Sequence, residues 1–199
     1  MSAIIARSYW SHALVEANTI IRRARHPQSW NIFPLKSLED MVFLSPSDAS
    51  QGSMPRGGSQ AGFAVLVADP EIVQGPARCN LLETVSTRIK RTVRSCLAAE
   101  MGSASLALEH GEFARVAFAD WRKFSARWAL HLVIDAKTGF GVLQNETIPD
   151  DRRLAIDVTS LRETFQEDTA HAMVRWIPGP QHVAAVSRRS SVMICCFRL

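Results

Sequence analysis

Apolar runs of strand length, separated by polar and glycine-rich stretches, mark the first half of the chain. EDMVFLSPSD (39–48) and AGFAVLVAD (61–69) each carry such a run, and RCNLLETVS (78–86) is a weaker match. Runs of this length bounded by Gly, Pro, Asp or Ser are typical of strands. Because three successive strands with short connections pair with their sequence neighbours, we predict an antiparallel meander.

Helical spacing appears in three other segments. Residues 11–25 repeat apolar positions at three- and four-residue steps, and residues 88–124 do the same over a longer stretch, with Gly111 as a candidate break. Residues 150–168 form a third such segment, in which Asp150 or Asp151 is placed to cap the N-terminus. The apolar face of the long helix is expected to carry Val93, Leu97, Met101, Ala104 and Leu108, and that of the last helix Leu154, Val158, Leu161 and Phe165.

Two later segments, ARWALHLVIDAK (126–137) and HAMVRWIPGP (171–180), complete the predicted elements as strands. The order becomes three strands, a long helix, a strand, a helix and a strand. A strand–helix–strand unit favours parallel pairing, whereas the meander is antiparallel. We therefore predict an α/β domain in which helices flank a mixed five-stranded sheet.

Composition narrows the class of protein without identifying it. The chain has 199 residues, of which 47% are hydrophobic and 21% charged, as expected for a soluble protein with one sizeable core. Its net charge of +4 permits nucleic-acid binding but does not predict it. No long apolar segment indicates membrane insertion or a signal peptide, so we expect an intracellular protein with no membrane partner. The cysteines lack C-x-x-C spacing, so we expect free thiols and no structural zinc site; they are Cys79, Cys96, Cys195 and Cys196.

Three acidic residues are candidates for a metal site. Asp48 and Asp135 each follow a predicted strand, and Glu100 lies among small and apolar residues of the long predicted helix. Each has a plain alternative: a turn or helix cap for Asp48, a solvated helix face for Glu100, and a strand end for Asp135. An unpaired carboxylate among apolar neighbours is costly, however. If the two strands are neighbours and the helix crosses them, the three carboxylates meet at one site suited to Mg²⁺.

The order of elements and several motifs resemble the ribonuclease H domain that ends the polyprotein of copia-type LTR retrotransposons. No single fragment is specific, but the set covers nearly the whole chain from about residue 12, in the right order. The matching fragments are SDAS (47–50), GGSQAGF (57–63), RIKRTVRSCLAAEM (88–101), LVIDAKTGF (132–140), DDRRLAIDVTSLRE (150–163) and VRWIPGPQHVAA (174–185).

The resemblance implies a ribonuclease H-like fold and two-metal hydrolysis of the RNA strand of RNA–DNA hybrids. In that case Asp48, Glu100 and Asp135 are the catalytic and metal-binding carboxylates, with Mg²⁺ as cofactor and Mn²⁺ as the alternative. Asp48 would be shared by both metals, and the other two carboxylates would hold one metal each. The partners would be the hybrid and the reverse transcriptase portion of the polyprotein.

The resemblance also fixes an expected domain layout. Residues 1–38 would be a helical connection to the reverse transcriptase, 39–185 the ribonuclease H-like domain, and 186–199 a divergent tail. Ala185 stands where the family has its fourth carboxylate, an aspartate. Two functions follow: a ribonuclease H impaired by that loss, and a catalytically dead remnant that keeps the fold and binds nucleic acid weakly.

Other side chains carry lesser expectations. The basic run of Arg88, Lys90, Arg91 and Arg94 has two interpretations, a solvated face and an edge that grips the phosphate backbone. Asp157 matches an aspartate common in the family's penultimate helix, and we interpret it as structural. Three of the five tryptophans are interpreted as core residues rather than base-stacking platforms; they are Trp121, Trp128 and Trp176.

Overall fold

The structure is a computed structural model that describes residues 33–178 apart from 55–56, 123–127, 146–148 and 170. The predicted helix at 11–25, most of the connection segment, Ala185 and the tail lie outside the described residues. Residues 33–41 precede the first strand and carry no helix. Among the described residues, no helix combines the length and the apolar character needed to cross a membrane.

The predicted mixed sheet of five strands is confirmed. Its strands are β1 (Val42–Met54), β2 (Gly58–Ala68), β3 (Cys79–Arg88), β4 (Leu130–Ile134) and β5 (Ala172–Trp176). They lie in the order β3-β2-β1-β4-β5. The pairs β1–β2 and β2–β3 are antiparallel, whereas β1–β4 and β4–β5 are parallel. The meander therefore forms one half of the sheet, and β1 is the central strand.

Three α-helices accompany the sheet: α1 (Cys96–Arg122), α2 (Lys137–Gln144) and α3 (Arg152–Glu167). A 3₁₀ turn, Pro70–Val73, joins β2 to β3. The predicted cap of α3 is confirmed, since Asp151 accepts hydrogen bonds from the backbone N–H groups of Arg153 (2.9 Å) and Leu154 (3.2 Å). These two bonds hold the pKa of Asp151 below its usual value.

Three predictions about these elements need correction. β1 does not end at Asp48 but continues to Met54, because β2 still offers it a partner there. α1 begins at Cys96 rather than near Arg88, which belongs to β3. α2 was not predicted at all. Its sequence KTGFGVLQ contains two glycines, which have a low helix propensity, so the helix is stabilised by the packing of its buried residues Gly139 and Leu143.

α1 continues through Gly111 without a break, and the glycine has another use there. A Cβ built on Gly111 would overlap the hydroxyl of Ser45 on β1 and would lie 2.9 Å from Cδ1 of Leu130 on β4. A side chain at this position would require Ser45 and Leu130 to repack or the helix to move away from the sheet. Gly111 therefore sets how closely α1 approaches the two central strands.

The main core lies between one face of the sheet and the helices α1 and α3. Each large apolar side chain removed from water there contributes about 1.5–3 kcal/mol, before the cost of ordering the chain is subtracted. A second apolar cluster covers the opposite face. The main cluster includes Phe43, Phe63, Val65, Leu130, Leu132, Met101, Ala104, Leu108, Leu154, Val158 and Leu161, and the second includes Val42, Leu44, Leu66, Ile72, Val133 and Ile177.

Two interpretations of single side chains are also wrong in part. Trp128 is a core residue, but Trp121 is 73% exposed and Trp176 is 37% exposed. Periodicity failed for Trp121 because α1 is apolar on more than one side, and Phe113 and Val116 are exposed as well. Cys96 is a free thiol as expected, whereas Cys79 is disulfide-bonded.

Candidate metal centre

The register of the two central parallel strands brings Asp48 and Asp135 side by side. The pairing of β1 with β4 ends with Ser47 opposite Ile134. The next residue of each strand is an aspartate, since Asp48 follows Ser47 and Asp135 follows Ile134. β4 stops there while β1 continues, so the edge of β1 that faced β4 becomes open beyond Ser47. The expected placement of Asp48 on the central strand beside the strand of Asp135 is confirmed.

Helix α1 brings the third carboxylate to the same place. Glu100 lies in the first turns of α1, which packs across β1 and β2. Its carboxylate accepts a hydrogen bond from the backbone N–H of Ala49, the residue after Asp48. One ligand oxygen from each of Asp48, Glu100 and Asp135 lies within 4.8 Å of the others. The structure thus brings the three predicted carboxylates together, while their role as metal ligands stays a prediction.

Electrostatics at this cluster favour a cation. Burial and, to a lesser extent, the nearby carboxylates of Asp48 and Asp135 together raise the pKa of Glu100 to about 8, although the Ala49 N–H acts in the opposite direction. Within the described part of the chain, Glu100 Oε2 is buried and has no hydrogen-bond partner. Three oxygen donors with one left unsatisfied are the donor set that a hard divalent cation prefers. The residues present therefore fit the magnesium expected here.

Several contacts that the sequence reasoning missed hold the cluster in place. Ser103 donates its hydroxyl to the backbone carbonyl of Asp48 (2.8 Å), and Trp176 donates its indole N–H to the carbonyl of Asp135 (2.9 Å). At the rim, the thiol of Cys96 donates to Oε1 of Gln51 (3.0 Å). For Ser103 a signal existed, because a residue three positions after Glu100 lies on the same helix face.

The basic run lies on the approach to α1 rather than within it. Arg88 ends β3, and Lys90, Arg91 and Arg94 lie in the exposed connection that leads to Cys96. Arg88 reaches across the start of β2, where its guanidinium contacts Gly58. Arg91 forms an ion pair with Asp157 on α3. Lys90 and Arg94 are exposed cations ten and six residues before Glu100 in the sequence, and their role in binding nucleic acid stays a prediction.

Asp157 is not part of the carboxylate cluster. It lies on α3, a mid-helix position whose side chain is 13% exposed, and its partner is Arg91. The ion pair connects α3 to the segment that enters α1. This contact agrees with the structural interpretation of Asp157.

No protein-family model and no curated protein matches the chain. Among solved structures, a ribonuclease H1 isolated from compost by a metagenomic approach is similar, with 16% identity over 73% of this chain and 91% of its own, and a TM-score of 0.51. The same ribonuclease in complex with an RNA/DNA hybrid matches with 14% identity, 73% and 91% coverage and a TM-score of 0.48. A ribonuclease H1 from the halophilic archaeon Halobacterium salinarum matches with 15% identity, 74% and 98% coverage and a TM-score of 0.46. The chain has a ribonuclease H-like fold, as the sequence predicted.

Proposed function

We propose that this chain is a ribonuclease H-type endonuclease domain that hydrolyses the RNA strand of RNA–DNA hybrids. The observation that carries the proposal is the meeting of Asp48, Glu100 and Asp135 within 4.8 Å in a ribonuclease H-like fold. Structural ion pairs do not account for this cluster, because it contains only carboxylates. The repulsion in such a cluster is relieved by a proton on one carboxylate, as the raised pKa of Glu100 indicates, or by a bound cation that replaces this proton.

In this proposal the three carboxylates would hold Mg²⁺, or Mn²⁺ as the alternative. The bound cations would supply Lewis-acid stabilisation of the charge that develops on the phosphodiester. The chain's own residues position the substrate. Lys90, Arg94 and Arg88 would bind backbone phosphates, and contacts to 2′-hydroxyl groups across the minor groove would distinguish RNA from DNA.

The finer assignment to a copia-type retrotransposon rests on the sequence fragments alone. It adds a domain layout with a connection segment at 1–38, the catalytic domain at 39–185 and a tail at 186–199, and it adds a reverse transcriptase as the covalent partner. Ala185 in place of the fourth carboxylate favours the second candidate, a non-catalytic remnant that retains weak hybrid binding.

Gel-resolved cleavage of an end-labelled RNA–DNA hybrid tests the proposal and separates the two candidates. We expect slow cleavage of the RNA strand with Mg²⁺, faster cleavage with Mn²⁺, which tolerates irregular sites better, and none with chelator. Double-stranded DNA of the same sequence is the matched control and should stay intact. Restoring the carboxylate with Ala185→Asp should raise the rate at least about tenfold, since one electrostatic contact in a transition state is worth roughly 3–4 kcal/mol. Hybrid binding without cleavage by either protein would favour the remnant.

Hybrid binding is expected to weaken steeply with salt, and the basic run should account for part of that slope. Each phosphate contact contributes about 0.9 to the slope of log K against log salt on duplex DNA. Replacing both Lys90 and Arg94 with alanine should therefore flatten the slope by roughly 1.5–2. The charge-matched control replaces Lys36 and Arg78, two exposed cations that precede β1 and β3. Equal slopes for the two double variants would show that the run is only a solvated face.

A further inference from the structure

One peptide group of β1 is held from both ends by helix α1. The carbonyl of the Asp48–Ala49 peptide accepts the hydroxyl of Ser103 at 2.8 Å. The N–H of the same peptide donates to the carboxylate of Glu100. Ser103 and Glu100 are three residues apart and are therefore neighbours on the helix surface.

The Ser103 hydroxyl is unusual for its position. Serine in a helix interior commonly faces solvent or bonds to the carbonyl four residues earlier in its own helix. Ser103 is fully buried, and its hydroxyl instead points at the strands, where it lies 2.8 Å from the Asp48 carbonyl and 3.3 Å from the carbonyl of Gly62 on β2. Asp48 and Gly62 are paired residues in the sheet. The hydroxyl thus anchors α1 at the strand pair that carries Asp48.

Because the two hydrogen bonds share one peptide, they fix the position of Glu100 relative to Asp48. Donation to the carbonyl also polarises the peptide and strengthens its N–H as a donor to Glu100. A loss of the hydroxyl would leave α1 attached to this peptide through Glu100 alone and would let the two carboxylates separate. Cation affinity depends on such supporting bonds, because ligands that are not held in place must be ordered when the ion binds.

We propose that Ser103 is a positioning residue for the divalent-cation site and acts through the Asp48–Ala49 peptide. The inference rests on the proposed cation site but not on turnover of a nucleic acid. Ser103, which lies outside the carboxylate cluster, would thus contribute to the affinity for the cation. The role is specific to the hydroxyl and not to the volume of the side chain.

Titration of the 199-residue chain with Mn²⁺ by calorimetry, without nucleic acid, tests the proposal. We expect Ser103→Ala to bind Mn²⁺ about tenfold more weakly, the lower end of the loss seen when supporting bonds to metal ligands are removed. Ser103→Thr, which keeps the hydroxyl, should recover most of the affinity. The control is Ala104→Gly, which destabilises the same turn of α1 but does not touch the Asp48–Ala49 peptide, and it should bind as the wild type does.

Each outcome decides between distinct conclusions. Wild-type affinity in Ser103→Ala overturns the role of Ser103 and leaves the proposed function standing. An equal loss in Ala104→Gly also overturns it, because general destabilisation of α1 then explains the effect. If the wild type binds no Mn²⁺, the proposed function and this inference both fail. Should Ser103→Ala not fold, Ser103→Cys, which has a weaker donor of similar shape, is expected to show an intermediate loss, and wild-type affinity there would contradict the proposal.

Discussion

Replacing Glu100 with glutamine is expected to stabilise the metal-free protein at pH 8 and above while it removes most of the divalent-cation affinity. In the wild type, burial and the charges of Asp48 and Asp135 raise the pKa of Glu100 from 4.5 to about 8. A group whose pKa is raised by folding contributes stability that is fully present below its unfolded pKa and is lost as pH rises through its folded pKa. The wild type should therefore lose stability between about pH 4.5 and 8, a loss that glutamine does not share.

Urea denaturation in chelator at several pH values measures this difference. The free energy of unfolding of Glu100→Gln should exceed that of the wild type by roughly 2 kcal/mol more at pH 9 than at pH 5, after discounting for the partial exposure of the carboxyl. Addition of Mn²⁺ at about 100 times its dissociation constant should restore about 2.7 kcal/mol to the wild type only.

The matched control for this experiment is Glu109→Gln, an exposed carboxyl on the same helix. It should follow the wild type at every pH and should respond to Mn²⁺ as the wild type does. Parallel curves for the wild type and Glu100→Gln would contradict the pKa assigned to Glu100. A cation response retained by Glu100→Gln would exclude Glu100 as a ligand.

Replacing Arg115 with alanine is expected to cost about 3–5 kcal/mol of stability, the loss typical of breaking a buried ion pair from one side. Arg115 is 3% exposed on α1. Its guanidinium donates to the carboxylates of Glu112 (2.6 Å) and Asp168 (2.8 Å) and to the backbone carbonyl of Trp128 (3.0 Å). It thereby connects α1, the segment before β4 and the end of α3. Thermal or urea denaturation at neutral pH gives the measurement.

An exposed ion pair of the same chain is the control for Arg115. Lys36 contacts Glu71 at 2.5 Å, but both side chains are about half exposed. Because solvent screens such pairs, Lys36→Ala should cost no more than about 1 kcal/mol. Similar losses for Lys36→Ala and Arg115→Ala would mean that burial of Arg115 does not decide its contribution.

The sequence predicted the elements of the site better than their ends. Short apolar runs that stop at an acidic residue identified β1, β4 and their aspartates, because such runs leave few alternatives to a buried strand. The same pattern placed Asp48 at the end of its strand. In the structure β1 continues to Met54, because pairing with β2 stabilises the polar residues after Asp48. Local hydrophobicity does not report such pairing.

Other failures had tertiary causes. The segment 137–144 lacks good helix formers, yet it folds as α2 because Gly139 lies against Met101 of α1. Residues 88–95 have helical spacing but extend β3 and the connection after it, since Arg88 pairs with Gln60 on β2. The sequence predicted that Asp48 lies next to Asp135 only on the condition that their two strands are neighbours in the sheet. The spacing of Ser103 from Glu100 was visible in the sequence, but the backbone carbonyls that Ser103 and Trp176 contact are set by tertiary packing.

Gly111 lies on the same helix as Glu100, one of the three carboxylates of the cluster. Glu100 lies about three turns, or roughly 16 Å, before Gly111 along α1. Gly111 packs against Ser45 and Leu130. Ser103, whose hydroxyl bonds to the Asp48 carbonyl, lies between Gly111 and Glu100 on α1. A methyl group added at Gly111 would require Ser45 and Leu130 to repack or α1 to shift, and a shift of α1 would move Glu100 relative to the sheet. The geometry of the cation site is therefore also set at a contact that touches none of its ligands.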